Sequence, residues 1–169
     1  MPSQADPAAD PVAEPMPWPG YEPVPGRALL SWRWAAERLD RSRRYWLATS
    51  SPVGTPHLAA IWAVWLGDGL AFSTGAATRK ARNLAARPRC SVSTESAGEA
   101  VVVDGVAEVV ADGGVIARID AAYVAKYGSS ALMPGSPLFV VRPALVHGLI
   151  DQVDPQSAPT RWRFRPAIS

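Results

Sequence analysis

Apolar positions along the chain repeat with two periods, and the switch between them marks out the elements. Between Ser31 and Arg43, the residues Trp32, Ala35, Ala36 and Leu39 fall at i, i+3, i+4 and i+7, which draws one apolar stripe down a helix capped by Ser31. Arg33, Glu37, Arg41 and Arg44 lie off that stripe and read as a solvated face. From Tyr45 the period becomes two. "RYWLATS", the turn "SPVGTP" and "HLAAIWAVWL" predict strand, turn and strand, and "GDG" then leads into "LAFST". The run from Leu58 to Leu66 is almost wholly apolar, which predicts a strand covered on both faces. A second helix is expected near residues 78–86, closed by Pro88, with Ala81, Leu84 and Ala85 as its buried stripe. "CSVST", the turn "ESAGE" and "AVVVDGVAEVV" supply two further strands, the second bending at Gly105. Asp112 opens a third helix through "VIARIDAAYVAKY", ended by a C′ glycine at Gly128, with Tyr123 and Tyr127 packed on one face. "PLFVVRP" and "ALVHGLI" predict two more strands, and "TRWRF" a short terminal one.

About seven short antiparallel strands interrupted by helices make a mainly β chain, and argue for a small barrel rather than a parallel sheet. Eight of the 17 prolines fall in the first 25 residues, so residues 1–26 read as a disordered or extended arm, with Trp18 and Tyr21 as its docking points. Residues 27–169 then form a single domain.

Composition removes several function classes. No apolar run approaches the roughly 18 residues that a membrane-spanning helix needs. Acids and prolines stand where a secretory signal would carry a basic start and an apolar core, so a cytoplasmic location is expected. A net charge of +2 is too small for a nucleic-acid binder. Cys90 is the one cysteine and lies in the alternating run "RCSVST", where packing is the simpler reading than a reactive thiol. His57 and His147 have no carboxylates at ligand-like spacing, so no metal site is expected. His57 reads as an edge residue at a strand start, and His147 as core.

One segment carries chemistry. Of the 17 Lys and Arg residues only two are lysines, Lys80 and Lys126, and the first lies in "FSTGAATRKARNL". If Thr78 is an N-cap, the amides after it are unpaired at the positive end of the helix dipole, and Arg79 and Lys80 flank them. Ser73, Thr74 and Gly75 add hydroxyls and an open backbone, and Asn83 lies three residues beyond Lys80. On these residues alone the segment has two readings, a phosphate seat and a solvated cationic helix, and the second is the simpler.

The order of parts in "GTPHLAAIWAVWLGDGLAFSTGAATRKARNLAARPRCSVST" resembles the pyridoxamine 5′-phosphate oxidase-like split barrels that bind flavins. A G-x-P turn, a cofactor-lining strand, an (F/Y)-x-(S/T) strand end and an (S/T)-x-K helix start follow one another over residues 44–110. The resemblance implies an FMN-binding split β-barrel that works as a homodimer, with cofactor sites at the subunit boundary. It implies that Ala60, Ile61 and Trp62 lie along the ring system, that Ser73 and Thr74 contact the polyol chain or phosphate, and that Thr78, Arg79 and Lys80 hold the phosphate, with Asn83 nearby. Trp162 would approach the ring from the closing strand, in its own subunit or the partner's. The family's "R-x-V-L-L-K" strand is replaced here by "AAIWAV" at residues 59–64, which carries no charge. That departure makes the chain similar to the actinobacterial branch that binds coenzyme F420, a 5-deazaflavin, and removes pyridoxamine phosphate as the expected substrate. The implied activity is hydride transfer between F420 and a small conjugated or quinone-like acceptor, with no catalytic side chain assigned. An FMN-dependent oxidase or reductase and a non-catalytic cofactor- or ligand-binding protein are the alternatives.

Overall fold

The structure is a computed structural model describing residues 10–16, 26–150 and 157–164. Three helices form where their caps are local. Ser31, Thr78 and Asp112 each accept the amide three residues on, from Trp34, Ala81 and Val115, and open α1 (Trp32–Arg41), α2 (Arg79–Ala86) and α3 (Gly113–Tyr127). Gly128 ends α3 at φ 70°, a backbone that only glycine adopts freely.

The strands are β1 (Val12–Pro15), β2 (Ala28–Leu29), β3 (Tyr45–Ser50), β4 (Pro56–Ile61), β5 (Val64–Trp65), β6 (Leu70–Ser73), β7 (Arg89–Thr94), β8 (Glu99–Val109), β9 (Leu138–Ile150), β10 (Ser157–Ala158) and β11 (Thr160–Arg163). One antiparallel sheet runs β1-β11-β9-β8-β7-β3-β4. β6 also joins β9, Leu70 opposite Val141 and Ser73 opposite Leu138, while β11 pairs β9 from Leu145 to Gly148. β6 and β11 therefore divide the length of β9 between them, and β5 extends the sheet from β6. No ladder joins β4 to β6; the chain itself crosses that seam at Trp62 and Ala63. This is a split barrel whose sheet does not close.

Several elements differ from expectation. Two strands were expected across Pro143, and one strand, β9, is found. A register shift lies between Asp104 and Gly105, which sit opposite Leu145 and Pro143, so the ladder steps over Ala144 and needs no N–H from the proline. Within the proline-rich arm, Val12 to Pro15 extends the sheet beyond β11. Trp18 and Tyr21 lie outside the described residues.

The core gathers Leu39, Tyr45, Leu47, Phe72, Val92, Val103, Val146 and Trp162. A second cluster puts α3, through Ile119 and Tyr123, over Val64, Ala71, Leu138 and Val140. Strands covered on both faces are thus β6 and the start of β9, not β4. The outward face of β4 is bare, with Leu58 60% and Trp62 45% exposed, and Trp46, opposite Ala60, continues that apolar face on β3.

Candidate functional site

The chemistry-bearing segment forms as the residues dictate. β6 ends at Ser73, and the turn that follows is tied to the loop before β9, with the Thr74 amide 3.4 Å from the Pro137 carbonyl and the Ala76 amide 3.1 Å from that of Gly135. Thr78 takes extended φ and ψ and caps α2, its Oγ1 lying 3.2 Å from the Oγ1 of Thr74. The amides of Arg79 and Lys80 find no acceptor among the described residues. Arg79 is exposed and Lys80 half-buried, and neither makes an ion pair among the described residues. The buried Oγ of Ser73 also lacks a partner there.

This is an inverted charge pattern. The first turn of a helix favours acids, each worth about 0.3–1 kcal/mol against the dipole, and cations there cost a similar amount. The first turn of α2 contains no acid and holds two cations. Two free amides, two threonine hydroxyls and two unpaired cations together fit a phosphate group, while the Ser73 hydroxyl is enclosed. Asn83 serves another purpose. It is buried and donates from Nδ2 to the Oγ1 of Thr49 at 3.0 Å, holding α2 onto β3, while Ala85, expected in the buried stripe, is exposed.

Along β4, Ile61 is buried and Ala60 exposed, and the strand's outer edge has no ladder partner among the described residues. Past its end, α3 seals the seam. The Tyr123 hydroxyl donates to the Trp62 carbonyl at 2.7 Å. The Tyr127 hydroxyl accepts from the Ala63 amide at 3.0 Å and donates to the Ala63 carbonyl at 2.7 Å, with the Arg43 carbonyl a second acceptor at 3.2 Å. Burial pushes both phenols up, so they remain protonated donors across the neutral range. The tyrosines do more than pack. The Trp62 ring is stacked on Tyr127 at 4.8 Å and 9°, with the Arg44 guanidinium 5.2 Å from its centroid, so its carbonyl and a ring face are already engaged.

Trp162 is a correction. It is wholly buried in the chain's own core, edge-on to Trp32 at 5.6 Å, and offers no surface to a bound ring. β11 alternates, and pairing with β9 turns Trp162 inward while Arg161 and Arg163 bind Glu14. His147 is the reverse case. It was expected in the core, but lies half-buried on the outward face, its Nε2 3.0 Å from Asp104 Oδ2, and Ser91 donates to the other carboxylate oxygen. These two hydrogen bonds hold the Asp104 carboxyl below its ordinary range, that from His147 most strongly. Cys90 is buried and its thiol is pushed up to about 12 by desolvation, as suits a packing residue. No group of three or more His, Cys, Asp or Glu able to hold a metal occurs among the described residues. No helix among them is long and apolar enough to cross a membrane.

Comparison with known proteins agrees with this architecture. Residues 34–149 match the family model described as pyridoxamine 5′-phosphate oxidase. The chain belongs to that family. Among solved structures it is similar to an F420 reductase, at 26% identity and a TM-score of 0.53, over 65% of this chain and 93% of that one. A conserved hypothetical protein from Mycobacterium tuberculosis matches at 24% identity and a TM-score of 0.63, over 88% of this chain and 96% of that one. A heme binding protein from Mycobacterium smegmatis matches at 21% and 0.61, over 72% of this chain and 55% of that one. No curated protein sequence matches the chain.

Proposed function

We propose that this chain is an F420-dependent oxidoreductase, moving a hydride between the deazaflavin and a small conjugated or quinone-like acceptor in the cytoplasm. The observation that carries the reading is the start of α2, where two unpaired cations and two free amides surround the Thr78 cap. Thr74, Thr78, Arg79 and Lys80 would hold the phosphate. The unpartnered edge of β4 at Ala60 and Ile61 would meet the polar rim of the ring. When bound, the cofactor supplies the hydride from its ring carbon, and the protein's part is to hold, orient and keep water out.

The preference for F420 over FMN rests on the uncharged strand at residues 59–64 and on the likeness to an F420 reductase. The bare apolar face of Trp46, Leu58 and Trp62 supports a homodimer, because surface of this kind is usually covered. FMN on the same seat is the second reading, and a carrier or sensor that binds without turnover the third.

Titration of the purified chain with F420 and with FMN, followed by fluorescence, separates these readings. F420 is expected to bind the more tightly, and Lys80→Ala to weaken it by about 1.5–3 kcal/mol, the worth of a charge-assisted hydrogen bond. Binding of FMN alone selects the second reading. Binding of F420 without hydride transfer to any acceptor selects the third, and failure of both cofactors at millimolar concentration sinks the proposal.

A further inference from the structure

An apolar cavity of about 490 Å³ opens beside the N-terminal half of α3, about two helical turns before Tyr123. Val110, Ile116 and Leu138 form its floor, which continues the core cluster under α3. Val109, Leu132 and Met133 stand at the rim, each half exposed or more. Its outer wall is the loop over residues 131–137, and hydrogen bonds hold that loop at both ends. Asp120 Oδ1 accepts from the Ser130 hydroxyl at 2.6 Å and from the Ala131 amide at 2.8 Å. At the other end the carbonyls of Gly135 and Pro137 accept from Ala76 and Thr74. The Met133 carbonyl takes the Ser136 amide at 3.0 Å, and the Leu138 carbonyl the Val110 amide at 2.9 Å. Pro134 and Pro137 have no amide to offer. Much of the wall's polar backbone is thus already engaged, and what faces the cavity is hydrocarbon. Of the nine lining residues Ser136 alone has a polar side chain, and none is ionisable.

We propose that this cavity is a binding site for a small uncharged molecule, largely hydrocarbon, with one hydrogen-bonding group to meet Ser136. Three observations select that occupant. An ordered water needs two to four polar partners, and this lining is too poor in them to keep water well. A second copy of the chain would need about 800 Å² and about 20–30 residues on each side, far more than nine residues around a recess provide. The volume instead falls within the range of about 300–1,000 Å³ typical of small-molecule pockets, whose walls are mostly apolar with a few polar groups. An anion would find no partner for its charge here, so the ligand is of the opposite kind to the one that the cations of α2 attract. The two places share only the backbone bonds at Thr74 and Ala76, and the inference does not depend on which cofactor α2 takes.

The test titrates the full-length chain with N-phenyl-1-naphthylamine, an uncharged aromatic amine that is dark in water and emits in apolar surroundings. The chain carries methyl-labelled methionine, and the Met133 NMR signal, assigned by its loss in Met133→Leu, reports from the rim. Saturable emission is expected, with a shift of the Met133 methyl and none at the buried Met16. Leu132→Asp sets a carboxylate on a half-exposed position that the fold tolerates, and should weaken the probe at least about tenfold. Leu58→Asp alters the other bare apolar surface, on β4, and should leave the affinity within about twofold, as for a distant site. Met133→Leu keeps the volume and should still bind. Absence of saturable emission, a Met133 methyl that stays in place at saturating probe, or an affinity lost in Leu58→Asp and kept in Leu132→Asp would overturn the assignment. So would a Met133 signal that moves on dilution without probe, because a second copy would then be the occupant.

Discussion

Tyr127→Phe tests whether a side chain does the work of a missing ladder. The phenol of Tyr127 is the partner of both the amide and the carbonyl of Ala63, a residue with no exposed surface, at the point where the chain crosses from β4 to β5. Phenylalanine keeps the ring and its stacking on Trp62, so only the hydroxyl is lost. Each hydrogen bond is worth about 0.5–1.5 kcal/mol net, and an unpaired buried N–H costs about 1–3 kcal/mol. These contributions overlap, and the expected loss is about 2–3 kcal/mol. For a domain of this size that lowers Tm by about 5–10 °C. Urea unfolding should show the same loss as a lower midpoint with an unchanged slope. Tyr123→Phe is the internal control. It removes one bond to the carbonyl of Trp62, a residue left half-exposed, and should cost only about 0.5–1.5 kcal/mol. If Tyr127→Phe shifts Tm by less than about 2 °C, or no more than the control does, the seam is not held by the hydroxyl and the reasoning fails.

Other outcomes follow from particular contacts. A methyl at Gly105 would lie 2.2 Å from the Arg142 carbonyl oxygen, which is backbone and cannot yield, so Gly105→Ala should lose more than about 3 kcal/mol or fail to fold, as read by circular dichroism. At Gly148 the added methyl meets the Trp162 ring at 2.7 Å; Gly148→Ala should cost about 1–3 kcal/mol and shift the fluorescence of a buried tryptophan. The Cys90 thiol, pushed up to about 12, should not react with a disulfide reagent at pH 8 until urea is added. Asp104 titrates lower in the folded chain than in the unfolded one, so its stabilisation is present above about pH 4 and is lost as pH falls through its folded pKa. His147→Gln removes the main cause of that depression, and should flatten the acid limb of the stability profile.

What was legible in the sequence was local. Ser31, Thr78 and Asp112 each satisfy an amide three residues away, and Gly128 ends its own helix, so helix limits follow from neighbours along the chain. The irregularity expected at Gly105 is found as a register shift, but the extra residue is Ala144 on β9, a partner the local sequence did not name. The cationic start of α2 could be read residue by residue, because the cap and the two cations are consecutive positions. What failed needed partners distant in sequence. An apolar run says that both faces of a strand are acceptable to oil, not which strand a helix will cover, and α3 chose β6 and the start of β9. The alternation around Trp162 and His147 fixed two faces without saying which was inward, and only pairing among β8, β9 and β11 decides it. The Ser91–Asp104–His147 network joins three strands, and the sealing of Ala63 joins residues 64 apart; neither left a spacing to find.

The open margin of β4 has a consequence for handling the protein. A strand with a vacant flank invites a like strand from another molecule, and natural sheets discourage this with a lysine, a proline or an inward charge. Between Pro56 and Trp62 the only such gatekeeper is the proline at the very start, and the residues after His57 are oily. Concentrated stocks should therefore drift toward aggregates seeded at that margin, and any ligand or chain that covers it would double as a solubility guard.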